Sequence, residues 1–319
     1  MLILGIESTC DETAAAVVQD GKKILSAACR SSAEIHQRYG GVFPELACRR
    51  HSEVIIPVIH EALRQAGLSG PDLDAIAVAN GPGLIGALLI GVQTAKGLSL
   101  TWNKPLIGVN HVEAHLYASM MQQEPPFPAL GFVLSGGHTL MLKISAIGSY
   151  ELLGSTVDDA IGEAYDKVAT LLGLSYPGGP ALESLAQKGD PTKIRFTLPN
   201  VKRNPMAFSF SGLKTAVLTA LPHYAPADLA ASFQETAIQS LVQKAKLALN
   251  IHPFQSMVFG GGVCSNQTLR KIFSHHFSHL PLFWPPEGLS QDNAVMIAGL
   301  AFHQKPDSLS LETFSSLRK

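Results

Sequence analysis

Two segments of this chain, about half its length apart, are written in the same pattern, and a repeated supersecondary unit is the strongest constraint a single sequence can place on a fold. Leu2-Ile3-Leu4-Gly5-Ile6 is an apolar strand, Glu7-Ser8-Thr9-Cys10-Asp11-Glu12-Thr13 a polar loop, and Ala14-Ala15-Ala16-Val17-Val18 a strand of small and β-branched residues. Leu130-Gly131-Phe132-Val133-Leu134, Ser135-Gly136-Gly137-His138-Thr139 and Leu140-Met141-Leu142-Lys143-Ile144 repeat that order. A duplicated domain is the expectation. At 319 residues, 46% hydrophobic and 15% charged, the chain is long and apolar enough to fill two cores.

Each hairpin opens an α/β succession. His51 to Ala66 has helical periodicity through Val54, Ile55, Val58, Ile59, Ala62 and Leu63, with Pro57 as a kink, and Asp74 to Asn80 is a mostly apolar strand. A helix near Leu84 to Leu100, a strand at Leu106 to Val109 and a helix from His111 follow. Consecutive prolines in Glu124-Pro125-Pro126-Phe127-Pro128 stop helices and mark the boundary, so the expected domains are 1–125 and 126–319. In the second half, Asp158 to Leu172, Asp228 to Leu249 and Gln291 to His303 are predicted helices, and Met257-Val258-Phe259 a short strand.

Composition excludes several function classes. No apolar run is long enough to span a bilayer and no basic segment precedes Met1-Leu2-Ile3, so a cytoplasmic protein without signal peptide or membrane anchor is expected. Cys10, Cys29, Cys48 and Cys264 form no C-x-x-C pair, which suits reduced thiols. A formal charge of −1 supplies no basic field, so a nucleic-acid substrate would require help from other chains.

His111 and His115 stand four residues apart on one helix face, where two imidazoles can share an ion; they can equally hydrogen-bond near a helix start capped by Asn110. Spacing alone leaves both open. Glu113 lies midway in His111-Val112-Glu113-Ala114-His115, about 200° around the helix from His111, and so cannot serve a peptidase metal as H-E-x-x-H or H-x-x-E-H would. Asp292 begins a helix, where it is either a cap or a third ligand.

Glycine-rich turns supply the other candidates. Gly81-Pro82-Gly83-Leu84-Ile85-Gly86 matches G-x-G-x-x-G, but no acidic residue follows at the ribose distance, so it is read as a tight backbone turn rather than a dinucleotide site. Ser135-Gly136-Gly137 can aim backbone N–H groups and a hydroxyl at an anion, and Gly260-Gly261-Gly262 before Asn266 allows close approach of a base or sugar. Tyr176-Pro177-Gly178-Gly179-Pro180 offers another such approach, and Asp166, mid-helix, would need a partner such as a ribose hydroxyl. Asp11 and Glu12 crown the first hairpin and are candidates to accept a proton or position an attacking amine. Lys193, Arg195, Lys202, Arg203 and Lys214 form the densest basic stretch and could meet RNA phosphates, or be a solvated loop.

These blocks, from Gly5-Ile6-Glu7-Ser8-Thr9-Cys10-Asp11-Glu12-Thr13 through Gly81 to Gly86, Asn110 to His115, Ser135 to Thr139, Asp158 to Lys167, Tyr176 to Pro180, Phe208-Ser209-Phe210-Ser211-Gly212-Leu213-Lys214 and Gly260 to Asn266 to Asp292-Asn293-Ala294, resemble the bacterial tRNA threonylcarbamoyladenosine transferase (TsaD-type) family over nearly the whole chain. The resemblance implies an actin-like ATPase (ASKHA) fold: two related α/β domains with a ligand cleft between them, the 291–303 helix bringing a metal ligand to that cleft. It implies transfer of threonylcarbamoyl from threonylcarbamoyl-AMP to the N6 amine of the adenosine next to the anticodon in tRNAs reading ANN codons. One Fe(2+), with Zn(2+) chemically admissible, would be held by His111, His115 and Asp292. Val133, Leu134, Ser135, Gly136 and Gly137 would line the activated intermediate, and Asp166, Gly179 and Asn266 would contact its sugar and base. The implied partners are tRNA, an inactive paralogue subunit (TsaB type) and a small ATPase (TsaE type). A small-molecule kinase on the same fold would need a phosphoryl-transfer Asp and Mg²⁺ instead of a two-His site, and a scaffold paralogue would have lost these ligands.

Overall fold

The computed structural model describes every residue except 38–40, 199–200, 202–203 and 317–319, and the side chains of residues 35 and 37. The chain forms two compact units, one of residues 1–124 with 286–319 and one of 125–285.

In the first unit, β1 (Leu2–Glu7), β2 (Glu12–Gln19) and β3 (Lys23–Ser31) run antiparallel, a short α1 (Ala33–Gln37) and a long α2 (Pro44–Ala66) follow, and β4 (Ala75–Gly81), α3 (Ile85–Trp102), β5 (Leu106–Asn110) and α4 (His111–Met120) complete it. The sheet order is β3-β2-β1-β4-β5, with β4 and β5 parallel to β1. Alternation along the strands gives the sheet two different faces. Leu4, Ile6, Ala15, Val17, Ile76 and Val78 pack with Val54, Ile55, Val58 and Ile59 of α2 in one core. The middle of the opposite face is made of small residues, with Gly5 paired to Ala16 on one side and to Ala77 on the other.

The second unit carries the same plan. Strands β6 (Ala129–Leu134), β7 (Thr139–Ala146) and β8 (Ser149–Ser155) are antiparallel, and after α5 (Ile161–Leu171), α6 (Gly178–Ala186), α7 (Ser211–Ala220) and α8 (Pro226–Ile251) come β9 (Ser256–Gly260), α9 (Gln267–His276) and β10 (Leu282–Phe283). The order β10-β9-β6-β7-β8, with β9 parallel to β6, is the order of the first sheet. The repeated hairpins are thus the first two strands of two like sheets. Phe259 stacks on Trp284 at 3.7 Å between ring centroids and meets Phe273 edge-on, closing the core under β9.

One expected boundary is corrected. The chain from Pro286 onward belongs to the first unit, so 126–319 is not one domain. The cause is α10 (Ala294–Ala301), eight residues without a charge and all buried, which must be covered on every side. It packs against β1, β2 and α4, where small strand residues admit it. The helix is also shorter than Gln291 to His303, so Asp292 lies in the bend before it. Asn293 is the cap, accepting from Met296 N at 2.9 Å. Among the described residues no helix is long and apolar enough to cross a membrane.

Candidate functional site

Helix α4 begins directly at the end of β5, and Asn110 caps it by accepting from Val112 N at 2.9 Å and Glu113 N at 3.3 Å. That cap fixes where the first turn starts, and hence where His111 and His115 point. Asp292 is fixed from the other side: Asn293 caps α10 and also donates to the Leu289 and Gln291 carbonyls, at 3.2 and 2.8 Å. The result is a group in which His115 Nε2 lies 3.1 Å and His111 Nε2 3.6 Å from Asp292 Oδ1. Each of the three offers one ligand atom within 4.8 Å of the others. Capping and metal ligation are therefore not rivals here; Asn110 and Asn293 do the capping, and the three residues together could hold an ion.

The donor set fits a two-His-one-carboxylate site for a divalent transition metal. His115 Nδ1 is buried and has no partner among the described residues, while His111 Nδ1 faces Glu7 Oε2 at 2.9 Å and Thr9 Oγ1 at 3.3 Å. Burial works against a charged His111, but the Glu7 and Asp292 carboxylates outweigh it and hold its imidazolium to about 9. Burial dominates at His115 and lowers it despite Asp292. Without an ion, His111 rather than His115 is therefore the histidine that carries the extra proton. Glu113 contributes no ligand atom, and burial lifts its carboxyl to about 7.

The first hairpin's tip is held by two buried histidines. His51 Nε2 donates to the Cys10 carbonyl at 3.0 Å, which obliges its Nδ1 to accept from the Thr13 hydroxyl at 2.7 Å. His36 Nδ1 accepts from Phe43 N at 3.2 Å, so its Nε2 donates to Ser32 Oγ at 3.0 Å, and that hydroxyl donates to the Asp11 carbonyl at 2.7 Å. Burial and hydrogen bonding to Asp11 push the Glu12 carboxyl up to about 9, so Glu12 keeps its proton at neutral pH.

The second unit's candidates occupy its glycine turns. The Val133 and Leu134 side chains are wholly buried, so only their main chain is available to a ligand. Ser135 Oγ accepts from His138 N at 3.0 Å, and nothing lies within 4 Å of where a Cβ on Gly136 or Gly137 would stand. Asp166 Oδ1 accepts from Gly178 N at 2.8 Å, tying α5 to the start of α6, and Gly179 beside it is open. Asn266 caps α9 by accepting from Leu269 N at 2.8 Å, while its amide donates to buried Gln234 Oε1 at 2.8 Å. The Asn266 amide carries a second hydrogen besides the one it gives Gln234.

In the basic stretch, Lys193 and Arg195 are exposed, Lys214 is half-buried on α7, and Lys202 and Arg203 lie outside the described residues. All four cysteines are free. Glu7, Thr9, His36, His51 and Gln234 were missed as site residues by sequence reasoning. Only Glu7 carried a signal, a charged residue closing an apolar strand.

The sequence profile of the tRNA N6-adenosine threonylcarbamoyltransferase (TsaD) family matches residues 23–299. The chain belongs to this family. It is 56% identical to the tRNA N6-adenosine threonylcarbamoyltransferase of Protochlamydia amoebophila over 98% of this chain and 96% of that one. Against the Bacillus subtilis threonylcarbamoyltransferase it is 47% identical over 93% and 89%. The solved structures it resembles carry the fold alone. Thermococcal (T. kodakarensis) HypF superposes with a TM-score of 0.65 at 17% identity, over 95% of this chain and 47% of HypF. Component A of the (R)-2-hydroxyglutaryl-CoA dehydratase of Acidaminococcus fermentans gives 0.59 at 15%, over 95% and 98%. This threonylcarbamoyltransferase family member therefore has the actin-like ATPase (ASKHA) fold, with two α/β domains built on like five-stranded sheets.

Proposed function

We propose that this acyltransferase moves the threonylcarbamoyl group of threonylcarbamoyl-AMP onto the N6 amine of the adenosine next to the anticodon in tRNAs that read ANN codons. The observation that carries the reading is the meeting of His111, His115 and Asp292, residues from distant parts of a chain that belongs to this family.

The mixed anhydride is already activated, so the protein's task is to orient it and to take up charge as AMP leaves. A new bond forms between N6 and the carbamoyl carbon, the bond from that carbon to the phosphate oxygen breaks, and AMP departs with its electron pair. The amine must lose a proton, and Asp11, beside protonated Glu12, is the proposed acceptor. Backbone N–H groups of Gly136 and Gly137 with the Ser135 hydroxyl would hold the phosphate, and Asp166, Gly179 and Asn266 the nucleoside. A divalent ion held by His111, His115 and Asp292, proposed to be iron(II), would supply a Lewis acid for the threonyl carboxylate or the carbamoyl oxygen.

A chain of charge −1 would share its grip on tRNA with other subunits, an inactive paralogue and a small ATPase. A tRNA substrate and four free cysteines suit a cytoplasmic enzyme. The test is transfer of labelled threonylcarbamoyl from its AMP conjugate to unmodified tRNA by the chain with both partners, beside His111→Ala and Asp292→Ala, with metal content read on the same samples. Transfer by wild type, and joint loss of metal and activity in the variants, is the expected result. Bound metal without transfer would favour a scaffold.

A further inference from the structure

Glu7 is the last residue of β1, and its side chain is wholly buried. A carboxylate removed from water is tolerated only where its oxygens are taken up by donors. Here each oxygen has one: Oε1 accepts from Thr9 N at 2.6 Å and Oε2 from His111 Nδ1 at 2.9 Å. An ionised carboxylate has only lone pairs to offer, so the imidazole nitrogen facing it must carry the hydrogen. In the neutral imidazole, the form that ligates a metal, this leaves the lone pair on Nε2, the nitrogen turned toward Asp292 Oδ1. His115 has no such support, because its Nδ1 is buried without a partner among the described residues.

We infer that Glu7 is the positioning residue of the metal centre: it locks the His111 ring and its tautomer so that Nε2 is presented as ligand, and it raises the basicity of that nitrogen. The inference rests on the reading of His111, His115 and Asp292 as metal ligands. Glu7 touches neither ion nor substrate; it acts through His111, as carboxylates behind ligating histidines do elsewhere.

The geometry makes Glu7→Gln a sharp probe. A carboxamide of the same size has one acceptor and one donor, so whichever way it turns it sets N–H against N–H at Thr9 or at His111, unless His111 moves its hydrogen to Nε2 and so loses the lone pair that would ligate the metal. Zn²⁺ affinity of the full chain is measured by chelator competition for wild type, Glu7→Gln, Glu7→Asp and His111→Ala. Alongside, ¹⁵N spectra of the wild-type imidazoles, assigned with His111→Ala, report which nitrogen of His111 bears hydrogen with and without Zn²⁺. The expected result is an affinity loss of about 10–100-fold in Glu7→Gln, and an Nδ1–H tautomer in the metal-loaded wild type. Glu7→Gln affinity within a few-fold of wild type, with His111→Ala metal-free, would overturn the inference and leave the metal centre standing. Wild type that binds no Zn²⁺ would overturn both. Should Glu7→Gln not fold, the wild-type spectra decide: an Nε2–H tautomer in the loaded protein rejects the inference.

Discussion

Gly5 of β1 lies directly against Ala294, the first residue of α10. A Cβ added to Gly5 would collide with the Ala294 carbonyl oxygen and come within 2.7 Å of Ala298 N. Because Asp292 is two residues before Ala294, the missing side chain at Gly5 is what lets the strand and the third ligand approach. Gly5→Ala should cost at least about 1–3 kcal/mol, the usual penalty for overpacking, since the atoms met are main chain and cannot swing away. Denaturant unfolding together with metal content would check this; a stable variant with full metal would show that α10 shifts freely.

Glu12 gives a pH-dependent prediction of definite sign. Its carboxyl is held to about 9 in the folded protein, above the ordinary value of an unfolded chain, so the folded state binds more protons and stability falls as pH rises between those values. Glu12→Gln removes that cost. Its melting temperature should exceed wild type at pH 8 by at least about 2–4 °C, with the gap closing as pH falls toward about 4.3. Transfer activity should drop at the same time. Melting curves across that range would refute the assignment if the gap were constant.

Thr13 and His51 hold the tip that carries Asp11 and Glu12. Thr13→Val keeps the side chain's shape but leaves buried His51 Nδ1 without its hydroxyl donor. An unsatisfied buried acceptor costs about 1–3 kcal/mol, and that loss is expected in chemical denaturation. Lowered kcat with little change in KM for the AMP conjugate is expected too, because the substrate loops are untouched. A change in KM alone would argue against the tip's part in chemistry.

Asp158 stands in for the cap that α7 lacks, accepting from Phe210 N at 2.8 Å and from the Ser209 and Ser211 hydroxyls at 2.5 and 2.7 Å. Burial opposes ionisation, but these donors prevail and hold its carboxyl below the usual range. Its contribution is therefore present above the unfolded value of about 3.9 and lost as pH falls through the lowered folded value. Asp158→Asn should destabilise by about 0.5–2 kcal/mol at pH 7, and the difference from wild type should shrink below pH of about 3.9. Thermal melts of both proteins at neutral and acid pH test it.

The sequence by itself determined the repeated hairpins, the run of helices and strands after each, and the His111/His115 pair, because periodicity and turn chemistry are local and are written in neighbouring residues. It also carried the family, since blocks from Gly5 to Ala294 keep their order along the chain. It misassigned the last segment, because a short all-apolar helix says that it is buried and not against which sheet; the small residues on one face of β1, β2 and β4 decided that. The resemblance named Asp292 together with the two histidines, but only the tertiary structure supplied the geometry that unites them, set Glu7 behind His111, and wired the Cys10 to Thr13 tip through His36 and His51. Those pairings join residues far apart in sequence, and a hydrogen-bond partner across such a distance leaves no mark on the spacing of either residue.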